Sequence, residues 1–298
     1  MYEGKRKIRR KRGKMTPLAI AVLVVLSLYS FLLIALIVWA LMTSFKEQTD
    51  FRLNPIGFPS KFVWNYTEVF NLYKKEIQTS EGSAYVGMGM MFVYSLLYSV
   101  GCSFFGTLVS CITAYLCSRY KFFLSKVIYS IVIICMILPI IGSLPSEIQV
   151  AQTLGLYNHI WGLWIMKANF LGMYFLVFFE LFKHIPKEYI EAAKIDGAWN
   201  FTILFRIMLP LARNTFFTVM LISFIGFWND YSIPLIYLPS YPTIAVGMVE
   251  MGKTNINGMS TVPMRMTAAM LMLQPILIIY LVLHKKLIGN LTVGGIKG

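Results

Sequence analysis

Apolar residues run in blocks along this chain, with short polar segments between them. A helix crossing a hydrocarbon layer about 30 Å thick, at about 1.5 Å per residue, needs about 20 apolar residues. Six runs answer that description: Pro17 to Met42, Met88 to Ser118, Leu124 to Gly142, Ile160 to Phe182, Asn214 to Leu238, and Met266 to Leu283. The first exceeds the roughly 7–15 residues of a signal-peptide core. It runs into Trp39-Ala40-Leu41-Met42 rather than a small-residue cleavage site, so a retained helix is expected. Barrel strands need only about 10 residues, and backbone groups in lipid must be bonded internally, which a helix achieves. The pattern predicts an all-α polytopic membrane protein with six transmembrane helices. It divides the chain into a basic tail (1–16), a first transmembrane helix (17–43), an extracytoplasmic loop (44–87), a transmembrane core (88–284) with a cytoplasmic loop at 186–210, and a C-terminal tail (285–298).

Composition supports the membrane reading. Of 298 residues, 57% are hydrophobic and only 13% charged, against about 25% charged in a soluble domain. The net charge of +14 would suggest nucleic acid in a soluble protein, but here its distribution sets topology and no nucleic-acid partner is expected. Eight Lys or Arg precede residue 15, three follow the second span, five follow the fourth, and three lie in the C-terminal tail. The opposite loops carry fewer, and the loop after the third span has only Glu147. The positive-inside rule then puts both termini in the cytoplasm of a cell-membrane protein, and an even number of spans agrees. Cys102, Cys111, Cys117 and Cys135 lie in or beside apolar runs without metal or redox spacing, so they read as packing residues.

The segment between the fourth and fifth spans differs from the other loops. Pro186 suits a first helical turn, Glu188 and Glu191 favour the positive helix end, and Ala192 and Ala193 are strong helix formers. Gly197 is placed as a C-cap. Phe201, Leu204, Phe205 and Met208 then fall on one helical face before Pro210 at the entry to the fifth span. A short helix, a glycine turn and an amphipathic helix are predicted. Periodicity alone leaves two roles open: a helix resting on the headgroups, or a docking element for a cytoplasmic partner.

The run Glu191-Ala192-Ala193, then Asp196-Gly197-Ala198, then Ile207-x-Leu209-Pro210 resembles the EAA loop of binding-protein-dependent ABC importers. The likeness extends to Thr43-Ser44-Phe45-Lys46, Trp64-Asn65-Tyr66, Ala114-Tyr115-Leu116, Leu154-Gly155-Leu156-Tyr157-Asn158 and Phe227-Trp228-Asn229-Asp230-Tyr231, the last similar to the carbohydrate uptake branch. The tail from Leu291 to Gly298 looks like that of the smaller, inner permease of maltose-type importers, although Asn290 follows Gly289 where the pattern has Gly before Leu. The resemblance implies a type I ABC importer fold. It implies that the EAA loop docks on an ATPase subunit, with Glu191 making a polar contact and Ala192, Ala193 and Gly197 allowing close packing. It also implies a second homologous permease, two ATPase subunits carrying ATP and magnesium, an extracytoplasmic solute-binding protein, and a sugar or oligosaccharide as substrate. No cofactor is expected on this chain.

Catalytic signatures are missing from the sequence. No G-x-x-x-x-G-K-[ST], H-E-x-x-H or G-x-S-x-G pattern occurs, and the three histidines are scattered, so an enzyme is not expected. Polar residues within spans usually face a cavity or bond a neighbouring helix. Lys167, Asn169, Asn229, Asp230 and Gln274 are the candidates, with Trp228 and Tyr231 as surfaces on which a sugar ring stacks. Pro139, Pro145 and Pro275 mark hinges or plain packing kinks. The expected function is an importer permease. The alternatives are a gradient-driven secondary transporter, for which Asp230 would be the ion carrier, and a non-transport scaffold or sensor.

The charge asymmetry generates a first prediction. A C-terminal fusion to alkaline phosphatase, which works only outside the cytoplasm, should be inactive, and a C-terminal green fluorescent protein should fluoresce; active phosphatase would reverse the topology.

Overall fold

The computed structural model describes residues 16–79, 82–120, 122–138, 142–251 and 260–291. The basic residues before position 15, Lys121, Pro139 and the tail beyond Leu291 lie outside them. The elements are α1 (Pro17–Thr43), α2 (Gln48–Leu53), α3 (Asn65–Leu72), β1 (Lys74–Thr79), β2 (Gly82–Gly87), α4 (Met88–Arg119), α5 (Phe123–Ile137), α6 (Leu144–Thr153), α7 (Ile160–Lys167), α8 (Met173–His184), α9 (Glu188–Ile195), α10 (Asn200–Ile203), α11 (Leu209–Asn229), α12 (Ser232–Tyr237), α13 (Ile244–Met251) and α14 (Val262–Leu291). A wider π turn (Leu204–Met208) joins α10 to α11.

Among the described residues, four helices are long and apolar enough to cross a membrane: α1, α4, Asn200–Asn229 and Val262–Leu281. The other two expected spans have a different form. The third is a helix of 15 residues. The fourth is divided into α7 and α8 by a non-helical stretch. The fifth was expected over Asn214 to Leu238. It begins earlier, within the segment assigned to the loop, and stops at Asn229. Pro210 does not open it, because Pro210 sits inside a continuous helix. Lacking an N–H, Pro210 cannot bond the Arg206 carbonyl. The winding loosens there, and the Leu209 N–H reaches back five residues to Leu204 O.

The longest helix is the mast of the bundle. One stripe of α4 carries Ser95, Ser99, Ser103, Thr107 and Ser110, all buried. Small side chains let neighbouring helices approach closely where lipid gives no hydrophobic drive to associate. On this mast pack α7, α8 and α11. In contrast, α1 is exposed along almost its whole length, as expected for a helix whose solvent is lipid. Its start is capped by Thr16 Oγ1, which accepts from the Ala19 N–H at 3.3 Å, with Pro17 in the first turn.

The segment 44–87 is built where only a loop was expected. It contains α2, α3 and an antiparallel hairpin paired from Lys74↔Gly87 to Thr79↔Gly82. The all-α expectation therefore holds for the bundle and not for this hairpin. The turn after α1 explains the Thr43-to-Lys46 and Trp64-to-Tyr66 motifs. Asn65 is 2% exposed, and its amide donates to Ser44 O at 2.9 Å and Lys46 O at 2.8 Å. Thr267 Oγ1 on α14 also donates to Ser44 O, at 3.1 Å. Lys46 is 1% exposed and donates to Asn54 O at 2.5 Å. On the same face, Tyr73 donates to Gly247 O at 2.7 Å, and Lys75 pairs with Glu250 at 2.5 Å. Burial, and then the Glu250 carboxylate, push the Tyr73 phenol above its ordinary range, so it remains a donor.

Asn65→Ala removes two buried donors at once. A loss of about 1–3 kcal/mol is expected, read as a lower thermal midpoint of the detergent-solubilised protein; an unchanged midpoint would mean that this turn does not bear on stability.

Candidate functional site

The EAA segment forms a small helix seated across the ends of α4 and α8. Arg119 at the end of α4 donates through a guanidinium nitrogen to the Ile185 carbonyl, which anchors the segment's start. Ala193 is 7% exposed and packs in one cluster with Tyr115, Phe178, Phe182, Ile203, Leu204, Met208 and Ala212. Glu191, Ala192, Asp196 and Gly197 remain exposed, and Ala198 is half-buried. The helix closes in a paired-bond turn. The Ala198 N–H reaches Ala193 O at 2.9 Å, and the Gly197 N–H reaches Lys194 O at 3.0 Å. This double closure needs a left-handed residue, and Gly197 has φ +77°. The motif's spacing thus has a structural cause: Ala193 supplies the carbonyl, Gly197 the turn, and Ala198 the second donor.

The helix after the turn has a different buried face from the one expected. Leu204 and Met208 are buried, but Phe201 and Phe205 are exposed. The buried stripe is Ile203, Leu204 and Met208, flanked by half-buried Ile207 and Leu209, with Pro210 exposed. The π turn rotates the side chains relative to an ideal helix, which a constant 3.6-residue period does not anticipate. Between the two helices lies an open groove of about 480 Å³, lined by Glu188, Tyr189, Ala192, Ala193, Asp196 and Ile207. Beside it Ile195 and Trp199 are 86% and 81% exposed. Periodicity gave no sign of these two residues, because they sit at a turn.

The second constellation surrounds the interruption between α7 and α8. The Ser110 hydroxyl donates to Asn169 O at 3.2 Å, and the Asn169 side-chain oxygen accepts from the Leu171 N–H at 3.2 Å. A Cβ on Gly106 would lie 3.1 Å from Lys167 O, so glycine permits α4 to approach the break. Lys167 is the last residue of α7. The structure puts it opposite Gly106, roughly 20–27 Å from the two ends of α4, because α7 is only 8 residues long. A cavity of about 250 Å³ opens here, lined by Ser110, Lys167, Asn169, Tyr174, Ser223 and Phe227 among others. A neighbouring cavity of about 310 Å³ shares Tyr174, Ser223 and Phe227 and reaches Asp230.

The remaining candidates separate by contact. Asp230 Oδ2 accepts from Tyr98 at 3.0 Å, while Oδ1 accepts from the Ser232 and Ile233 N–H groups at 2.9 and 3.3 Å. It therefore caps the start of α12 as well as facing a cavity. Trp228, expected as a stacking surface, is 1% exposed. Its indole donates to Met272 O at 3.0 Å and its ring stacks on Phe224, so it is core. Asn229 bonds back to Ile225 O at 2.8 Å. Tyr231 and Gln274 are exposed and line neither cavity. Sequence reading missed Ser110, Ser223 and Tyr174; the four-residue spacing of hydroxyls along α4 was the available signal for the first.

A bundle of apolar helices, an interrupted span beside a cavity that carries Lys167 and Asn169, and a surface helix riding on one end define an integral membrane transport subunit. Residues 106–289 match the family described as binding-protein-dependent transport system inner membrane component, and the chain belongs to that family. It is similar to the melibiose/raffinose/stachyose import permease protein MelC of Bacillus subtilis (strain 168), 28% identical over 263 residues covering 87% of this chain and 89% of that protein. It is also similar to the diacetylchitobiose uptake system permease protein NgcG of Streptomyces coelicolor, 24% identical over 274 residues covering 90% and 86%. The fold matches a chain in the crystal structure of a bacterial ABC transporter involved in the import of the acidic polysaccharide alginate, with TM-score 0.71 and 20% identity over 90% of this chain and 95% of that one.

The turn at Gly197 can be tested locally. Gly197→Val puts a β-branched residue at φ +77°, costing about 1–2 kcal/mol or more, whereas Gly197→Asn tolerates that conformation. Hydrogen exchange over residues 186–199 should quicken in the valine variant and stay near wild type in the asparagine variant; equal exchange in all three would remove the turn's structural role.

Proposed function

We propose that this chain is the membrane-spanning permease subunit of an ATP-driven importer that passes a sugar or oligosaccharide across the cell membrane. Family membership and the sugar-importing relatives support this reading. The observation that carries it is the exposed helix Glu188–Ile195, closed at Gly197 and continued by an unbroken helix from Asn200 to Asn229. A helix of 30 residues is a lever roughly 45 Å long. One end carries Ile207 beside the groove and the other carries Asp230 beside the cavities.

In this reading the groove receives an ATPase subunit on the cytoplasmic side, with Glu191, Ala192 and Asp196 as its exposed polar and small surfaces. Ala193, Gly197, Ala198, Ile207, Leu209 and Pro210 hold the segment in shape. Two ATPase subunits bind ATP and magnesium, a second homologous permease completes the pathway, and a solute-binding protein delivers the sugar from outside. Both termini lie in the cytoplasm. Closure of the ATPase pair moves α9, and the lever carries that motion to the cavities as a rigid-body transition between two states. Asn169 and Asp230 line the pathway. The gradient-driven alternative needs Asp230 as a free ion carrier, and its two oxygens already accept three hydrogen bonds.

Ala192 is exposed in the groove, so Ala192→Trp should fold, reach the membrane and block docking. Sugar uptake is expected to fall about tenfold or more, which corresponds to about 1.4 kcal/mol of lost association, and ATPase subunits should no longer co-purify. Normal uptake with unaltered ATPase coupling would sink the proposal, and uptake persisting after ATP depletion would favour the gradient-driven alternative.

A further inference from the structure

Lys167 is a lysine at the interruption of a membrane span, half-buried on the wall of the cavity of about 250 Å³ between α4, α8 and α11. An ionisable group at this depth is costly and is retained where it meets a partner or lines a water-filled path. Among the described residues, the carboxylates that form ion pairs are Glu250, with Lys75, and Glu180, with Lys183 and His184. None pairs with Lys167. Asp230 lines the neighbouring cavity and not this one, and its oxygens accept from Tyr98 and the first amides of α12. The other polar groups on this wall, Ser110, Asn169, Tyr174 and Ser223, are neutral. Among the polar groups of this otherwise apolar wall there is therefore one positive charge beside neutral hydroxyls and an amide.

Resting on the importer reading above, we propose that Lys167 binds an anionic group of the substrate, so that the transported sugar carries a carboxylate. The neutral groups suit sugar hydroxyls, which both donate and accept. The lysine supplies a charge-assisted bond, which is stronger than a neutral one and strengthened further where water is sparse. A neutral sugar would leave the ammonium without an ion-pair partner as it passed. A carboxylated sugar satisfies it, and the weak, multi-site lining lets the sugar leave again.

The test uses intact cells carrying the complete transport system. They are given a mixture of oligogalacturonides and aldouronates with their carboxyl-reduced neutral counterparts, and imported species are identified by mass spectrometry. Wild-type cells should import an acidic species in preference to its neutral counterpart. Lys167→Met should reduce that import about tenfold or more, and Lys167→Arg should restore most of it, with the chain at equal membrane levels in all three. Preference for neutral species, or acidic import unchanged in Lys167→Met, overturns the charge assignment and leaves the importer reading standing. Loss of the second permease from the purified Lys167→Met complex makes the lysine an assembly contact and also overturns it. Import of neither class by the wild type counts against the importer reading itself.

Discussion

Every backbone polar group in a bilayer must find its partner inside the protein, and the architecture follows from how this chain meets that demand at its few non-helical points. The turn after α1 is closed by Asn65 and by Thr267 from the far end of the sequence. The interruption between α7 and α8 is closed by Ser110 and by local bonds through Asn169. The start of α12, just past the end of α11, is closed by the Asp230 carboxylate, which accepts from the Ser232 and Ile233 N–H groups. In each case a polar side chain within a largely apolar bundle serves a break, and two of the three breaks open onto cavities. Places where the helices stop are therefore the places where the protein can meet a polar solute.

The same demand shapes the helix after the EAA turn. Pro210 removes one N–H from the long helix that follows the EAA turn. A π turn absorbs the loss within five residues, and the helix runs on unbroken to Asn229. Had the chain broken there, α9 and the cavities would sit on separate bodies. Instead the groove-lining Ile207 and the cavity-facing Phe227 share one rod. The change of direction falls instead at Gly197, where glycine adopts a left-handed conformation without strain.

The reading of the EAA segment from sequence succeeded where chemistry is local. Gly197 as a helix stop and Ala192 and Ala193 as helix formers depend only on neighbours a few residues away. The spans were less legible. Hydropathy marks Ile160 to Phe182 as one apolar run, yet Ala168 to Gly172 leave the helix, where α4 sets Ser110 against Asn169 O and Gly106 against Lys167 O. Hydropathy likewise extends the fifth span to Leu238, while the helix stops at Asn229 and a separate one, α12, starts on the Asp230 carboxylate. The face of the helix after Gly197 was misplaced because the π turn alters its phase.

Sequence by itself determined that this is a membrane-embedded helical protein carrying an EAA-type surface helix, because composition, run length and short-range spacing are properties of the chain alone. Only tertiary structure decided which polar residues meet. It buried Trp228 in the core, bound Asp230 to Tyr98, and set Lys167 against the middle of α4 beside a cavity. Those outcomes rest on contacts between residues separated by tens to hundreds of positions, and helical periodicity carries no information about which distant helix lies opposite a given face.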